Sequence, residues 1–208
     1  MPMATPLVFG SPETLQKTVV WIANRDDPPP QQDDRLVLTS DGKLILQTTA
    51  PQPKSIAEAA QSALWASMLD TGNFVIFNSR GNVLWQSFDF PTDTLLPGQS
   101  LVVEGELFSS IFVTNHSTGR FYIRMQSDGN LVQYPTGDER TSTSYYASNT
   151  CCRQDNLTTL NFTEDGSLRC QYNDSVQQWV SVLQQRNSLL PMDYRYRRDL
   201  PVVCFESE

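Results

Sequence analysis

Short runs of β-branched and aromatic residues, each bounded by turn residues, recur along the chain, and the fullest copy of the pattern is Leu69 to Gln99, LDTGNFVIFNSRGNVLWQSFDFPTDTLLPGQ. Asn73 to Phe77 is one apolar run, Asn78 to Asn82 supplies turn residues with Gly81 able to take positive φ, and Val83 to Ser87 is a second run. The pattern predicts a hairpin. Pro91 and Pro97 bracket a stretch that cannot donate a full ladder of hydrogen bonds, so the chain leaves the sheet there as an ordered turn and resumes at Leu101.

The unit recurs on two anchors: an Asx-Gly turn followed by an apolar run, then an apolar-Trp-x-Ser run. Asp41-Gly42 leads through Leu44 to Leu46 and on to Trp65 and Ser67, and Thr71-Gly72-Asn73 leads to Trp85 and Ser87. Asp128-Gly129-Asn130 leads to Tyr146-Ala147-Ser148, with Tyr replacing Trp, and Asp165-Gly166 leads to Trp179 and Ser181. Val20 to Asn24, with Trp21, reads as the closing half of a unit whose first half is missing. Repeats of hairpin size imply an all-β sheet assembly with pseudo-symmetry, each unit placing its Trp in a shared core.

These residues carry a resemblance. Ala66 to Val75 with Leu84 to Asp89, Pro91 to Gln99, and upstream Val19 to Asp26, resemble the bulb-type (monocot mannose-binding) lectin domain of plant G-type lectin S-receptor-like kinases. The similarity is close from Thr18 to Leu101 and looser from Gly119 to Ser181. It implies a β-prism II built from three four-stranded sheets with pseudo-threefold hairpin repeats, recognition of mannose, and an origin in the ectodomain of a cell-surface receptor.

Length and composition refine this. At 208 residues with 39% hydrophobic content the chain can bury one ordinary core or two small ones, and the repeats suggest two tandem modules. The apolar pattern breaks at Gly105, which sets the expected modules at 1–105, lacking its first strands, and 106–208. A formal charge of −8 and a pI near 4.6 exclude nucleic acid and anionic membrane as partners. Arg195, Arg197 and Arg198, the basic cluster, read as a solvated strand face. Asp26 to Asp34 and Gln47 to Ser62 read as loops, with a brief helical turn over Ile56 to Ala63; Leu107 to Thr114 and Arg120 to Met125 read as strands joined by a turn over Asn115 to Gly119.

The N-terminus has no apolar leader core and the chain no run of about eighteen apolar residues. Sequons nevertheless stand at Asn115, Asn156, Asn161 and Asn173, which favours an extracellular or cell-surface parent protein and a fragment that has lost its leader. Cys151, Cys152, Cys170 and Cys204 are disulfide candidates in that setting, with buried thiols as the alternative; their spacing does not suit zinc, and no cofactor is implied. A Ser-His-Asp or Cys-His site would have to use His116, which sits in a polar turn with nothing nearby to orient it. A glycosidase needs only two carboxylates about 5 to 10 Å apart, but nothing singles out a pair among 23 acidic residues. The chain reads as a non-catalytic module.

Gln126 to Tyr134, QSDGNLVQY, holds the candidate site. Gln126, Asp128, Asn130, Val132 and Tyr134 match the mannose pattern Q-x-D-x-N-x-V-x-Y of the resembled family, and alternate spacing sends them to one face of an extended segment, with a bend possible at Asp128-Gly129. An acceptor-only carboxylate, two amides and a phenol complement sugar hydroxyls, while Val methyls cover an apolar ring edge. By resemblance, Asp128 and Asn130 would take the axial 2-hydroxyl, Gln126 the 3-hydroxyl and Tyr134 the 4-hydroxyl. Tyr122, Arg124 or the Asp138 to Arg140 loop stands close enough to occlude the site, and a glycan on Asn115 close enough to crowd it. Corresponding positions elsewhere are degraded: Thr39, Asp41, Lys43, Ile45, Gln47; Leu69, Thr71, Asn73, Val75, Phe77; and Thr163, Asp165, Ser167, Arg169, Gln171. Each missing sugar partner costs on the order of 1 kcal/mol, so these three are expected to be structural. The rival to glycan binding is a protein-interaction scaffold on the same fold.

The half-unit before Trp21 leaves an expected sheet edge or gap, to be filled by Met1 to Lys17, a second copy or another ectodomain. The chain expressed alone is therefore expected to be dimeric or to aggregate; a monodisperse monomer in light scattering would count against this.

Overall fold

Among the described residues one turn is built five times. In Thr39–Lys43, Leu69–Asn73, Asn78–Asn82, Gln126–Asn130 and Thr163–Ser167, the first residue donates its N–H to the carbonyl of the fifth and accepts from the N–H of the fourth, at 2.8 to 3.1 Å. The fourth is always glycine, at φ +95°, +82°, +79°, +83° and +79° for Gly42, Gly72, Gly81, Gly129 and Gly166. A type I turn closed by a left-handed residue matches the twist of the strands it joins, and that position strains any residue with a Cβ. In three turns a side chain at the third position accepts the fifth residue's N–H: Thr71 to Asn73 at 3.4 Å, Asp128 to Asn130 at 2.9 Å, Asp165 to Ser167 at 3.1 Å.

The computed structural model describes residues 19–112, 114–138, 140–150, 158–172, 176–179, 196–197, 200–201 and 203–204. Its described residues hold strands and two single-turn 3-10 segments, Ser87–Asp89 and Thr141–Thr143, and no α-helix. The chain divides into two units, Met1–Phe90 and Pro91–Glu208.

In the first unit β1 (Arg35–Leu38), β2 (Lys43–Gln47) and β3 (Lys54–Glu58) form one antiparallel sheet, and β4 (Trp65–Met68), β5 (Phe74–Phe77) and β6 (Val83–Gln86) another. Their inner faces meet in a core of Trp21, Leu44, Ala57, Phe74, Ile76 and Trp85. Trp21 meets Trp85 edge to face, centroids 5.6 Å apart, and donates its indole N–H to the Phe90 carbonyl at 2.8 Å, while the Phe90 ring stacks on Trp85 at 5.4 Å. The indole thus buries its apolar body and satisfies its one donor.

In the second unit β7 (Thr94–Leu95), β8 (Ser100–Leu101), β9 (Glu106–Phe112), β10 (Asn115–Met125), β11 (Leu131–Pro135), β12 (Tyr146–Ala147), β13 (Thr158–Phe162), β14 (Leu168–Tyr172) and β15 (Val176–Trp179) are followed by β16 (Tyr196–Arg197), β17 (Leu200–Pro201) and β18 (Val203–Cys204). Two four-stranded sheets, in order β12-β11-β10-β9 and β15-β14-β13-β8, carry the unit, with small pairs β16-β17 and β18-β7. Period-two alternation sends Leu107, Ile123, Met125, Leu131, Leu160, Phe162, Leu168 and Cys170 into one core. The other face of the β9–β12 sheet holds Phe108, Tyr122, Val132, Tyr134 and Ala147. The Pro91 to Gln99 stretch ties itself down with its own side chains. The buried Asp93 carboxylate accepts the hydroxyls of Thr94 at 3.0 Å and of Ser110, and Gln99 Oε1 accepts the Leu96 N–H at 3.0 Å.

Three expectations are corrected. Lys54–Glu58 is a strand in place of a loop leading into a helical turn, drawn into the ladder by Leu44 opposite Ala57. Asn115 to Gly119 is not a turn but the start of β10, because Gly119 lets that strand press against β9: a Cβ there would lie 2.4 Å from Ser109 Oγ. Trp65 does not join a shared core; it is 43% exposed and stacks on Phe77 with centroids 4.0 Å apart.

Two glycine substitutions separate conformation from space. Gly81→Ala meets no atom within 4 Å and should cost about 1 kcal/mol for its left-handed φ. Gly42→Ala adds a Cβ 2.1 Å from the Gln61 carbonyl oxygen and should cost well over 2 kcal/mol in urea unfolding. Equal losses would refute this account.

Candidate functional site

The motif from Gln126 to Tyr134 does not run straight. Gln126 to Asn130 are the five-residue turn between β10 and β11, so the polar members sit at the hairpin end while Val132 and Tyr134 stand in β11. The bend still gathers them, because Gln126 Nε2 donates to Tyr134 Oη at 2.9 Å. Asp128 is exposed, and Gln126 and Asn130 are half-buried. Val132 and Tyr134 form a floor at 3% and 2% exposure.

Neighbouring strands supply the walls that the spacing of the motif did not assign. Tyr122 lies opposite Tyr134 with ring centroids 5.7 Å apart, and Phe108 stacks on Tyr122 at 5.2 Å. Arg124 lies opposite Val132 on one side and Glu106 on the other; its Nη2 reaches Glu106 Oε1 at 2.5 Å, and its guanidinium carbon lies 5.8 Å from the Tyr122 ring centre. Both residues could be found in the sequence by counting four and two positions back from Gln126 along the same strand face. The Asp138 to Arg140 loop is engaged with itself: Arg140 Nη2 sits 2.7 Å from Asp138 Oδ2 and holds that carboxyl well below the usual range.

Asn130 also has a structural task. Its Oδ1 accepts the Ser148 hydroxyl at 2.9 Å, and Ser148 Oγ in turn accepts the Leu131 N–H at 2.9 Å. Thr150 braces the turn by donating to the Gly129 carbonyl at 2.7 Å. The first unit repeats the arrangement: Asn73 Oδ1 accepts Ser87 Oγ at 3.2 Å, and Ser87 Oγ accepts the Phe74 N–H at 2.9 Å. This explains why Asn and Ser recur together in the two units.

At the degraded positions the polar groups are spoken for. Asn73 Nδ2 donates to Gln86 Oε1 at 2.9 Å, and Trp65 lies over Phe77 where Tyr122 faces Tyr134 in the second unit. Asp165 pairs with Arg169 at 2.6 Å; the Thr163 hydroxyl, then Ser167 and Arg169, hold its carboxyl below the ordinary value. The Thr39 hydroxyl does the same for Asp41, which lies 3.9 Å from Lys43 Nζ.

His116 is oriented after all, contrary to the sequence expectation. Its Nδ1 lies 3.3 Å from Ser110 Oγ and 3.6 Å from Asp93 Oδ2, groups that the fold brings from β9 and the loop before β7. Ser110 is 1% exposed and donates its hydroxyl directly to Asp93, so it is closed to a substrate and is a support for the β9–β10 hairpin.

Of the cysteines, Cys170 is a free thiol buried in the second core. Cys204 stands in β18 with its backbone opposite Thr94, and Cys151 and Cys152 lie outside the described residues, as do Asn156 and Asn173. Among the described residues no helix is long and apolar enough to cross a membrane.

A family profile described as D-mannose binding lectin matches residues 18–116, ending before the Gln126 motif. A G-type lectin S-receptor-like serine/threonine-protein kinase, LECRK1 of Oryza sativa subsp. japonica, is 34% identical over 174 residues, covering 77% of this chain and 21% of that protein. The corresponding kinase RLK1 of Arabidopsis thaliana is 33% identical over 184 residues, covering 83% and 21%. The chain therefore spans about a fifth of the length of the curated relatives it matches. Among solved structures, a two-domain fetuin-binding agglutinin of Scilla campanulata is matched over 77% of this chain and 84% of that one, at 16% identity and a TM-score of 0.26, too low to carry a structural argument.

Burial pushes the Cys170 thiol from its ordinary 9.0 up to about 11, against a smaller opposing effect of the Thr150 hydroxyl. The folded state therefore holds this proton more tightly than the unfolded chain. Its stabilisation is fully present below about pH 9 and is lost as pH rises toward 11, a fall on the order of 2 to 3 kcal/mol. Urea midpoints for wild type and Cys170→Ala across that range check this; an equal slope in the variant would refute it.

Proposed function

Residues 18–116 match the D-mannose binding lectin family, whose domain is of the kind carried by G-type lectin S-receptor-like kinases, and from that premise we propose that the chain recognises mannose through Gln126, Asp128, Asn130, Val132 and Tyr134. The observation that carries this reading is the 2.9 Å bond from Gln126 to Tyr134, which brings both ends of the motif together at the turn that carries the exposed Asp128. Asp128 offers an acceptor-only carboxylate there, and Asn130 Nδ2 offers a donor, because Ser148 engages only the oxygen of that amide. The Tyr134 hydroxyl accepts from Gln126 and keeps its own proton to donate. Charge is complementary to hydroxyl donors, and the action is binding and release, without bond making.

A shallow mouth making a few hydrogen bonds to one sugar gives a dissociation constant on the order of millimolar, roughly −4 kcal/mol, so useful affinity comes from display of several copies. Mannose-containing glycans are the proposed partners, with a second copy of the chain or another receptor ectodomain beside it. The same reading places the chain at the cell surface, as the lectin part of a receptor-like kinase; the named relatives and the share of their length that the chain covers support it.

One observation favours a second reading, a protein-interaction scaffold. Val132 and Tyr134 are 3% and 2% exposed beneath Phe108, Tyr122 and Ala147, so a sugar reaches those two only if that packing opens. Titration with methyl α-mannoside by NMR separates the two. Shifts at residues of the Gln126–Asn130 turn are expected in the wild type and should disappear in Asp128→Ala. Absence of shifts in both at tens of millimolar sugar would leave the scaffold reading.

A further inference from the structure

Two of the sequons lie in described structure, and the fold treats them oppositely. We propose that Asn115 is an N-glycan acceptor of this chain, whereas Asn161 is a structural amide that carries no glycan in the folded protein. The inference rests on the cell-surface part of the functional reading and is independent of the sugar site. The chemistry needs an accessible amide. Nδ2 attacks the anomeric carbon of a lipid-diphosphate-linked oligosaccharide, the bond from that carbon to the diphosphate oxygen breaks, the lipid diphosphate leaves with the electron pair, and the amide gives up one of its two protons.

Asn115 offers such an amide. It is exposed at the first position of β10, paired with Phe112 across the end of the β9–β10 hairpin. Its Oδ1 accepts the Ser117 N–H at 3.1 Å, which fixes the carbonyl end of the side chain against the backbone and leaves Nδ2 as the end that faces away. Strand β10 is 11 residues long, and at roughly 3.3 Å per residue Asn115 stands on the order of 30 Å from Gln126. A glycan there leaves the mouth of the candidate site clear, which removes the crowding expected from sequence.

The Asn161 amide is engaged at both its oxygen and its nitrogen. It lies within β13 between Ser100 of β8 and Arg169 of β14. Its Oδ1 accepts the Ser100 hydroxyl at 2.6 Å and its Nδ2 donates to Gln171 Oε1 at 2.7 Å, so one side chain ties three strands. The other sequon members are equally engaged: Phe162 is in the core, and the Thr163 hydroxyl is turned onto the Asp165 carboxylate and the Ser167 carbonyl. An oligosaccharide on Nδ2 would crowd Gln171 and lie against the neighbouring strands, so chains modified there complete the sheet at a cost.

The full chain, secreted from a eukaryotic host behind an added leader, is treated with peptide N-glycosidase in heavy-oxygen water and mapped by mass spectrometry. Label is expected at Asn115 and none at Asn161. Asn115→Gln and Ser117→Ala should each remove that glycan while mannoside shifts persist. Asn161→Gln should leave the glycan pattern unchanged and lower the thermal midpoint by several degrees, as loss of a three-strand tie requires. Label on Asn161 in the secreted protein, or an unlabelled Asn115, overturns the inference. Either result beside intact mannoside shifts leaves the lectin reading standing, whereas a correct glycan map without shifts removes that reading alone.

Discussion

An asparagine just past a tight turn, holding the hydroxyl of a serine further along the chain, closes the hairpins of both units. Asn73 with Ser87 and Asn130 with Ser148 each put the serine oxygen where it accepts the next backbone N–H, of Phe74 or of Leu131. Those amide groups have nowhere else to go once the strands beyond them are buried, and an unpaired buried donor costs about 1 to 3 kcal/mol. Turn, strand end and serine therefore form one cooperative element, and the left-handed glycine that precedes each asparagine is what lets it close. Phe74, which follows Asn73, lies in the core of the first unit and Leu131, which follows Asn130, in that of the second.

This element also constrains how binding could evolve. Asn130 cannot be tuned for a ligand without loosening Leu131, and Asn73 persists in a unit where Leu69 and Phe77 have replaced the hydrogen-bonding groups. Persistence of one motif residue is thus weak evidence of a site. The surrounding set matters more, and only the Gln126 to Tyr134 stretch has the full set on a gathered turn.

Local requirements were readable in the residues, and long-range ones were not. Each glycine turn announced itself because positive φ excludes other side chains, and Trp21 and Trp85 found the core that their flanking alternation suggested. Ile56 to Ala63 carries the Ala and Glu residues of a helical turn, and pairing with strand β2 makes its first part, to Glu58, extended. Trp65 looked like its two buried counterparts because the motif does not say which face of β4 meets the core. His116 looked unaccompanied because Asp93 and Ser110 come from other parts of the chain. The site residues and the bend at Asp128-Gly129 were legible in the sequence, but the aromatic cover over Val132 and Tyr134 was not, because Phe108 and Tyr122 come from strands β9 and β10.

That aromatic cover bears on the heat of binding. The apolar floor of Val132 and Tyr134 is dry before any ligand arrives, packed under Phe108 and Tyr122. A hexose settling on the mouth removes little further apolar area from water, and the change in heat capacity scales with that area. Recognition here should therefore be calorimetrically flat, with an enthalpy that scarcely varies with temperature, in contrast to a lectin that folds an open aromatic wall over its sugar.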